Sequence, residues 1–311
     1  MRARPQAVLL LNPVARRRSA GRRWARVEPA VRERFDLELV ELGAAGWPER
    51  LAHAHRRGVR AFIAAGGDGT VNALINAIHD RCGADSMEGL FLGAVGLGSS
   101  NDFHKPIHRT LDGVPVRLDL ELTAPRDLAR ARFVDPRGAG QERLFAVSAS
   151  LGVTATANAA FNEGRWPVGW LGRFWVDGAI TWSALRALAR HRPTQVMLQT
   201  ELGTRRVGLS NLSVMKTPFL SGGLRYDLDI APGDGLLAAH LCEGMTRWEL
   251  ARTFLRLGRG RFTGTPKTSS WRTPRLAIQA DVPFDLELDG ELFRAVRVEL
   301  DLLPQRVRCS P

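Results

Sequence analysis

The stretch Arg60-Ala61-Phe62-Ile63-Ala64-Ala65-Gly66-Gly67-Asp68-Gly69-Thr70-Val71-Asn72 decides how this chain is read. An apolar run ends in a glycine-rich turn holding one carboxylate, and a second apolar-periodic run follows. Residues 61–65 suit a short buried strand, and 71–79 suit a helix with Val71, Leu74, Ile75 and Ile78 on one side. The three glycines let backbone approach a ligand closely, and some can take positive φ without steric cost. The following helix directs its free N–H groups, and the positive end of its dipole, at the turn. Such a turn holds phosphate. An aspartate inside it repels a bare phosphate, so Asp68 asks for a metal ion or a hydroxyl proton as partner. The combination points to phosphoryl transfer.

Working outward, Gln6 to Leu11 reads as a first strand followed by Asn12-Pro13 and the basic run Ala15-Arg16-Arg17-Arg18-Ser19. Residues 20–35 have helical periodicity through Trp24, Val27, Val31 and Phe35. Residues 36–42 alternate as a strand, 48–57 form a short helix ended by Gly58, and Leu90 to Val95 is another strand running into Gly98-Ser99-Ser100-Asn101-Asp102. Strands alternating with helices predict a parallel sheet with crossover helices. Ligands of such sheets bind beyond the carboxyl ends of the strands. Asn12, Gly66 to Thr70 and Gly98 to Asp102 each follow a strand, so all three belong at one edge.

After about residue 114 the pattern changes. Val114 to Leu122, Arg143 to Ala149, Gln195 to Thr200, Arg205 to Met215 and Gly235 to Cys242 read as strands, with more from Arg275 to Leu302. Helices are expected at 172–190, through Trp175, Ala179, Trp182 and Leu185, and near 246–257. The organisation read from this is an N-terminal Rossmann-like α/β domain over 1–122, with 303–311 a candidate completion of it, and a mostly β sandwich domain over 123–302. The 311 residues, 44% hydrophobic and 24% charged, are those of a globular protein with ample core. No stretch is long and apolar enough to span a membrane. Three distant cysteines without metal spacing fit a reducing cytoplasm. The net charge of +12 comes almost wholly from arginine, since Lys105, Lys216 and Lys267 are the only lysines. That skew fits base composition and ordinary solvated arginine, and it also favours peripheral contact with an anionic membrane surface. No nucleic-acid recognition motif accompanies it.

The motif GGDGTVN, an Asn-Pro after the first strand, a glycine-rich loop ending in Asn101-Asp102 and a late Asp289-Gly290-Glu291 together resemble the diacylglycerol kinase catalytic-domain family, which is related to sphingosine and ceramide kinases. GGDG alone is shared with NAD kinases and phosphofructokinases. The four motifs in order span nearly the whole chain. The resemblance implies a nucleotide-binding α/β domain, a C-terminal β-sandwich, an active site between them, and an ATP- and Mg2+-dependent kinase acting on a hydroxyl of a diacylglycerol-like or sphingoid membrane lipid. No Gly-x-x-x-x-Gly-Lys-Ser/Thr motif occurs, so this is not P-loop chemistry.

By this resemblance Asn12, Gly66, Gly67, Gly69, Thr70, Ser99, Ser100 and Asn101 hold the nucleotide, and Asp68, Asp102 and Asp119 form a magnesium-linked network. Family members usually carry proline before and threonine after the glycine of the 98–102 loop, where this chain has Leu97 and Ser99. Asn101 is also readable as a helix N-cap and Asp102 as a first-turn acid. Asp119 is also readable as part of a solvated strand face with Arg117 and Glu121.

Asp289-Gly290 is a two-residue hairpin signal, which sets Leu288 opposite Glu291 and Leu286 opposite Phe293. Glu291 is then a polar misfit on an apolar side, where a raised pKa suits a general base. The resemblance likewise assigns it the lipid hydroxyl proton, with Asp68 as the rival. Asp234, where Gly233 replaces the first of two acids common in the family, reads as a plain turn. Tryptophans between Trp166 and Trp182 read as core or as an apolar surface for acyl chains. The other readings are an NAD kinase-like small-molecule kinase, for which Asn162-Glu163 is a superficial match, and a degenerate lipid- or nucleotide-binding protein.

Overall fold

The computed structural model describes residues 4–162, 187–189 and 191–311. Of the helix expected over 172–190 only 187–189 are described, as helical; Trp175, Ala179, Trp182 and Leu185, with Glu163 and the Trp166–Trp182 cluster, lie outside the described residues. The chain forms two compact units. The first comprises Met1–Leu128, Pro232–Gly235 and Leu303–Pro311; the second comprises Ala129–Ala231 and Leu236–Leu302. The first unit thus runs past the boundary expected at 122, and it takes in a loop that sequence alone left with the β region. Asp127, wholly buried, is the physical reason. Its N–H donates to Pro232 O at 2.8 Å, and its carboxylate accepts Gly235 N at 2.9 Å and Gln305 N at 2.7 Å. A buried carboxylate is tolerable only when so bonded.

In the first unit β1 (Gln6–Leu11) pairs in parallel with β2 (Asp36–Glu41) and β3 (Ala61–Gly66), and β3 with β4 (Leu90–Gly96). Between them lie α1 (Ala15–Arg18), α2 (Ala20–Arg34), α3 (Trp47–Arg56) and α4 (Asp68–Cys82). Every residue of β3 and β4 is buried, as an internal parallel strand covered on both faces requires. Trp24, Val27 and Val31 of α2, with Phe35 after it, pack on alternate residues Leu9, Ile63 and Val95. The hairpin of β5 (Thr110–Leu111) and β6 (Val114–Arg117) sets β6 antiparallel to β4 at Ala94 and Val95. Sequence alternation predicts strand through Leu122, but β6 stops at Arg117. Asp119 ends it by accepting the N–H groups of Glu121 and Leu122, both at 3.0 Å. A side chain that binds its own backbone makes a turn.

The second unit is antiparallel. β7 (Ala124–Val134) begins in the first unit and hairpins to β8 (Gly140–Phe145); β9 (Ser148–Gly152) leads into α5 (Val153–Asn162). One long strand expected from Arg143 to Ala149 is therefore two. Then come β10 (Thr194–Thr200), β11 (Gly203–Met215), the small pair β12 (Phe219–Leu220) and β13 (Leu224–Arg225), and β14 (Leu237–Glu243). They are followed by α6 (Arg247–Leu257), β15 (Thr268–Thr273), β16 (Leu276–Leu288) and β17 (Glu291–Cys309). The order β15-β14-β11-β10-β16-β17 carries the sheet, with β9 paired to both β11 and β16. Inward side chains of these strands, among them Phe133, Phe145, Leu151, Leu212, Leu241 and Leu286, share one apolar core, as in a β-sandwich. A second cluster, with Tyr226, Met245, Leu250, Leu257 and Phe262, seats α6. The last part of β17 returns to the first unit, where Val307 and Arg308 pair in parallel with Leu90 and Phe91.

Candidate functional site

The carboxyl ends of β1, β3 and β4 come together in the first unit. Gly66 O, at the end of β3, accepts Leu97 N at 2.8 Å and Gly98 N at 3.0 Å, so the loop after β4 is tied to the GGDG turn. Asn12 N donates to Ala65 O at 2.9 Å, and the Asn12 Nδ2 amide donates to Thr70 Oγ1 at 3.3 Å. All three loops expected at this edge are therefore joined by hydrogen bonds.

The glycines use their missing side chain and not left-handed backbone. None of Gly66, Gly67, Gly69 or Gly98 lies at positive φ. What they supply is the absence of a Cβ. A Cβ on Gly66 would lie 2.0 Å from Thr70 Oγ1, and one on Gly98 would lie 2.4 Å from Gly67 Cα. Two loops thus pack backbone against backbone. α4 begins at Asp68, earlier than periodicity placed it, because Gly67 O already accepts Thr70 N at 2.9 Å.

Asp68 spans the two loops. Its Oδ1 accepts Phe103 N at 2.8 Å and its Oδ2 accepts Asp102 N at 3.1 Å. It thereby caps the short 3-10 turn Asp102–His104 from a different loop. Asn101 stands at the N-cap position of that turn, but its side chain does not cap it. At φ 50° it folds back on its own loop, accepting Gly98 N at 3.0 Å and donating to Gly98 O at 3.1 Å and Gly96 O at 3.3 Å. Asn101 shapes the loop. Ser99 is exposed and Ser100 half-buried at its tip.

The buried carboxylate of Asp102 pairs with Lys105 Nζ at 2.7 Å. Asp119 does not join these two. Its Oδ2 accepts Arg109 NH1 at 2.5 Å, its pKa is held down by the N–H of Leu122 first, and among the described residues no three His, Cys, Asp or Glu side chains gather as a metal-ion set. The three-aspartate network expected from sequence is reduced to Asp68 beside Asp102. That pair still fits Mg2+, which keeps several waters and takes one or two carboxylates. The side-chain-free backbone of Gly67 and Gly98 and the first turn of α4 fit phosphate.

Below the loop lie residues that sequence reading missed. Arg117, placed by alternation on a solvated face, is buried; it donates from Nε to Phe103 O at 3.1 Å and from NH1 to Ser310 O at 2.5 Å. Burial first, and the charge of Arg126 second, lower its pKa to about 10. The Arg126 guanidinium stacks 4.3 Å from the Phe103 ring centroid. Burial also drives the His104 pKa down to about 3, with Arg117 adding to the effect, so the imidazole is neutral. A basic residue at the end of an alternating run was the available signal.

In the second unit the hairpin register is as expected: Leu288 faces Glu291 and Leu286 faces Phe293. Asp289, at φ 48°, is the residue that organises it. Its buried carboxylate accepts Ala146 N at 2.7 Å and both Val147 N and Ser148 N at 2.9 Å, which is why the strand breaks between β8 and β9. Glu291 is exposed by area, yet its carboxyl group is partly desolvated. That desolvation raises its pKa, Arg143 opposes the rise and Asp289 adds to it. In the 231–235 turn, a Cβ on Gly233 would lie 2.7 Å from Pro125 O.

Residues 6–128 match the diacylglycerol kinase catalytic domain, and residues 147–310 match the YegS C-terminal NAD kinase beta sandwich-like domain. The chain belongs to the diacylglycerol kinase-like family. Among solved structures, a diacylglycerol kinase from Bacillus anthracis str. Sterne aligns at a TM-score of 0.64 with 15% identity, over 99% of this chain and 97% of that one. Yeast NADH kinase complexed with NADH aligns at 0.53 with 9% identity, over 100% and 84%. At such identities these two likenesses concern the fold. No curated protein sequence matches the chain. Family membership supports a kinase of the lipid or NAD kinase type. Among the described residues no helix is long and apolar enough to cross a membrane.

Proposed function

We propose that this chain is a lipid kinase that transfers the terminal phosphoryl group of ATP to a hydroxyl of a diacylglycerol-like or sphingoid lipid. The observation that carries the reading is the position of Asp68, which links the GGDG turn to the 98–104 loop through two backbone N–H groups at 2.8 and 3.1 Å. Backbone N–H groups at the start of α4 and the hydroxyls of Ser99 and Ser100 bind the phosphates, and Asn12 with Thr70 fixes the β1 loop beside them. Asp68 and Asp102 would hold Mg2+ through water, and the ion would neutralise charge spreading over the transferred group. Phosphoryl transfer needs positioning and electrostatics more than covalent help, which is what loops locked by glycine contacts offer.

Two carboxylates are candidates to accept the hydroxyl proton, Asp68 and Glu291. Glu291 is favoured, because both Asp68 oxygens already accept N–H groups while desolvation raises the Glu291 pKa toward that of a working base. The test is radiolabel transfer from ATP with Mg2+ to a total lipid extract and, separately, to NAD. Label in a lipid supports the reading, and label in NAD alone overturns it.

A further inference from the structure

α6 presents an outer stripe that the packing of the second unit does not use. Leu250, Thr253 and Leu257 are buried, so the opposite side of the helix faces solvent. That side carries Trp248, Arg252 and Leu255 at spacings of four and three, which align along one stripe, and Arg259 follows just past the end of the helix. Trp248 is 69% exposed and Leu255 is 64% exposed, although both are large and apolar. Arg247 and Arg256 flank the stripe, and Arg261 follows shortly after.

The charge of this surface is one-sided. Glu249 is the only acid on α6. It is held in a capping box with Thr246 and paired with Lys267 Nζ at 2.8 Å, so its charge is offset locally. Among the described residues no carboxylate pairs with Arg247, Arg252, Arg256, Arg259 or Arg261. The contacts these residues do make leave the positive charge in place: Arg256 Nε donates to Thr265 Oγ1, Arg259 NH1 donates to Leu255 O, and the Arg247 guanidinium lies 5.7 Å from the Trp248 ring centroid.

We infer that α6 is a docking helix for an anionic lipid bilayer, lying in the interface with Trp248 and Leu255 inserted and the arginines against lipid phosphates. Two apolar side chains two turns apart are too little for the dry centre of a stable protein interface, which needs about 800 Å² on each partner. They suffice for an interfacial helix, where tryptophan seats at headgroup depth and basic residues meet anionic lipid. Charge complementarity selects the occupant: an unneutralised arginine surface on a chain of net charge +12 suits an anionic leaflet. The inference goes beyond the kinase reading and does not rest on it, because it needs only the surface of the second unit.

The test is co-sedimentation of the full chain with vesicles of phosphatidylcholine containing about 30% phosphatidylglycerol, against phosphatidylcholine alone, at ~0.1 M and ~0.5 M salt. The expected result is binding to anionic vesicles at low salt that weakens at high salt. Trp248→Ala with Leu255→Ala is expected to lower the partition coefficient at least tenfold, and Arg247→Glu with Arg252→Glu to lower it further and weaken its salt dependence. All four side chains are exposed, so melting temperatures stay within a few degrees of wild type. Equal binding by wild type and both variants, no binding by wild type, or a loss confined to a variant that has unfolded would overturn the inference. So would concentration-dependent dimerisation that the apolar pair of substitutions abolishes, since the stripe would then serve a second copy of the chain.

Discussion

Replacing Gly98 by alanine tests the packing on which the candidate site depends. The new Cβ would lie 2.4 Å from Gly67 Cα, 2.9 Å from Asn101 Oδ1 and 3.0 Å from Gly67 N. Two of these neighbours are backbone, so no side-chain rotation relieves them, and the loops must separate by about 1 Å to restore ordinary contact. Overpacking of this kind costs about 1–3 kcal/mol. Separation also strains the bonds from Leu97 N and Gly98 N to Gly66 O. The larger effect is on turnover, because a misplacement of about 1 Å in a positioning site costs on the order of 10²-fold. The assay is ATP-dependent phosphorylation at saturating ATP, with a thermal melt of the same preparation. Gly21→Ala, in α2 with nothing within 4 Å of the added Cβ, is the control and keeps wild-type turnover. A Gly98→Ala protein with wild-type turnover and an unchanged melt would refute the argument that contact between Gly67 and Gly98 sets the site.

Asp289→Ala leaves the N–H groups of Ala146, Val147 and Ser148 without their acceptor, and a loss of about 3 kcal/mol or more is expected in urea unfolding. Glu291→Gln is expected to lower kcat by on the order of 10²-fold. Because desolvation raises the Glu291 pKa, the acid limb of the wild-type kcat profile has its midpoint above 4.5; a variant that keeps that limb would assign the base to Asp68. His240 is buried, stacked 3.7 Å from Tyr226 and bonded to Ser270 Oγ at 2.9 Å; burial lowers its pKa from 6.5 to about 3. A histidine depressed in the folded state is neutral there while the unfolded chain takes up protons, so its contribution is full above 6.5 and is lost as pH falls from 6.5 toward 3. Unfolding free energies from urea titrations between neutral pH and about pH 5 should fall with a slope that rises toward about 1.4 kcal/mol per pH unit from this residue as pH drops below 6.5, and His240→Gln should flatten it.

The first unit is legible in sequence where local signals agree with tertiary need. β1, β3 and β4 are short apolar runs closed by glycine or asparagine, and a parallel sheet buried on both faces wants those runs. The Asp289-Gly290 hairpin is legible for a similar reason, since a two-residue turn fixes register locally. Failures arise where the partner is remote. Alternation through Val114 to Leu122 predicts a strand, but Asp119 takes its own backbone N–H groups, and Arg117 turns inward to a carbonyl near the C-terminus. The glycines of GGDG suggest positive φ, and the reason for them appears only once Gly98 is seen against Gly67. Asp127 and Asp289 carry no local signature of the N–H groups they accept from distant segments. Burial of a carboxylate against backbone donors is a property of the folded chain, and no spacing in the sequence announces it.

Asp68→Asn is the sharpest test of whether the GGDG turn serves phosphoryl transfer to a lipid. Asparagine keeps one acceptor for the N–H pair at Asp102 and Phe103, so the variant should fold, while the charge beside the phosphates is lost. Transfer of label from ATP to a lipid extract, read beside the circular dichroism spectrum and melt, is the measurement. Wild type is expected to label a lipid, and a folded Asp68→Asn protein to label none. Near-normal lipid labelling by that variant would contradict that role of the turn.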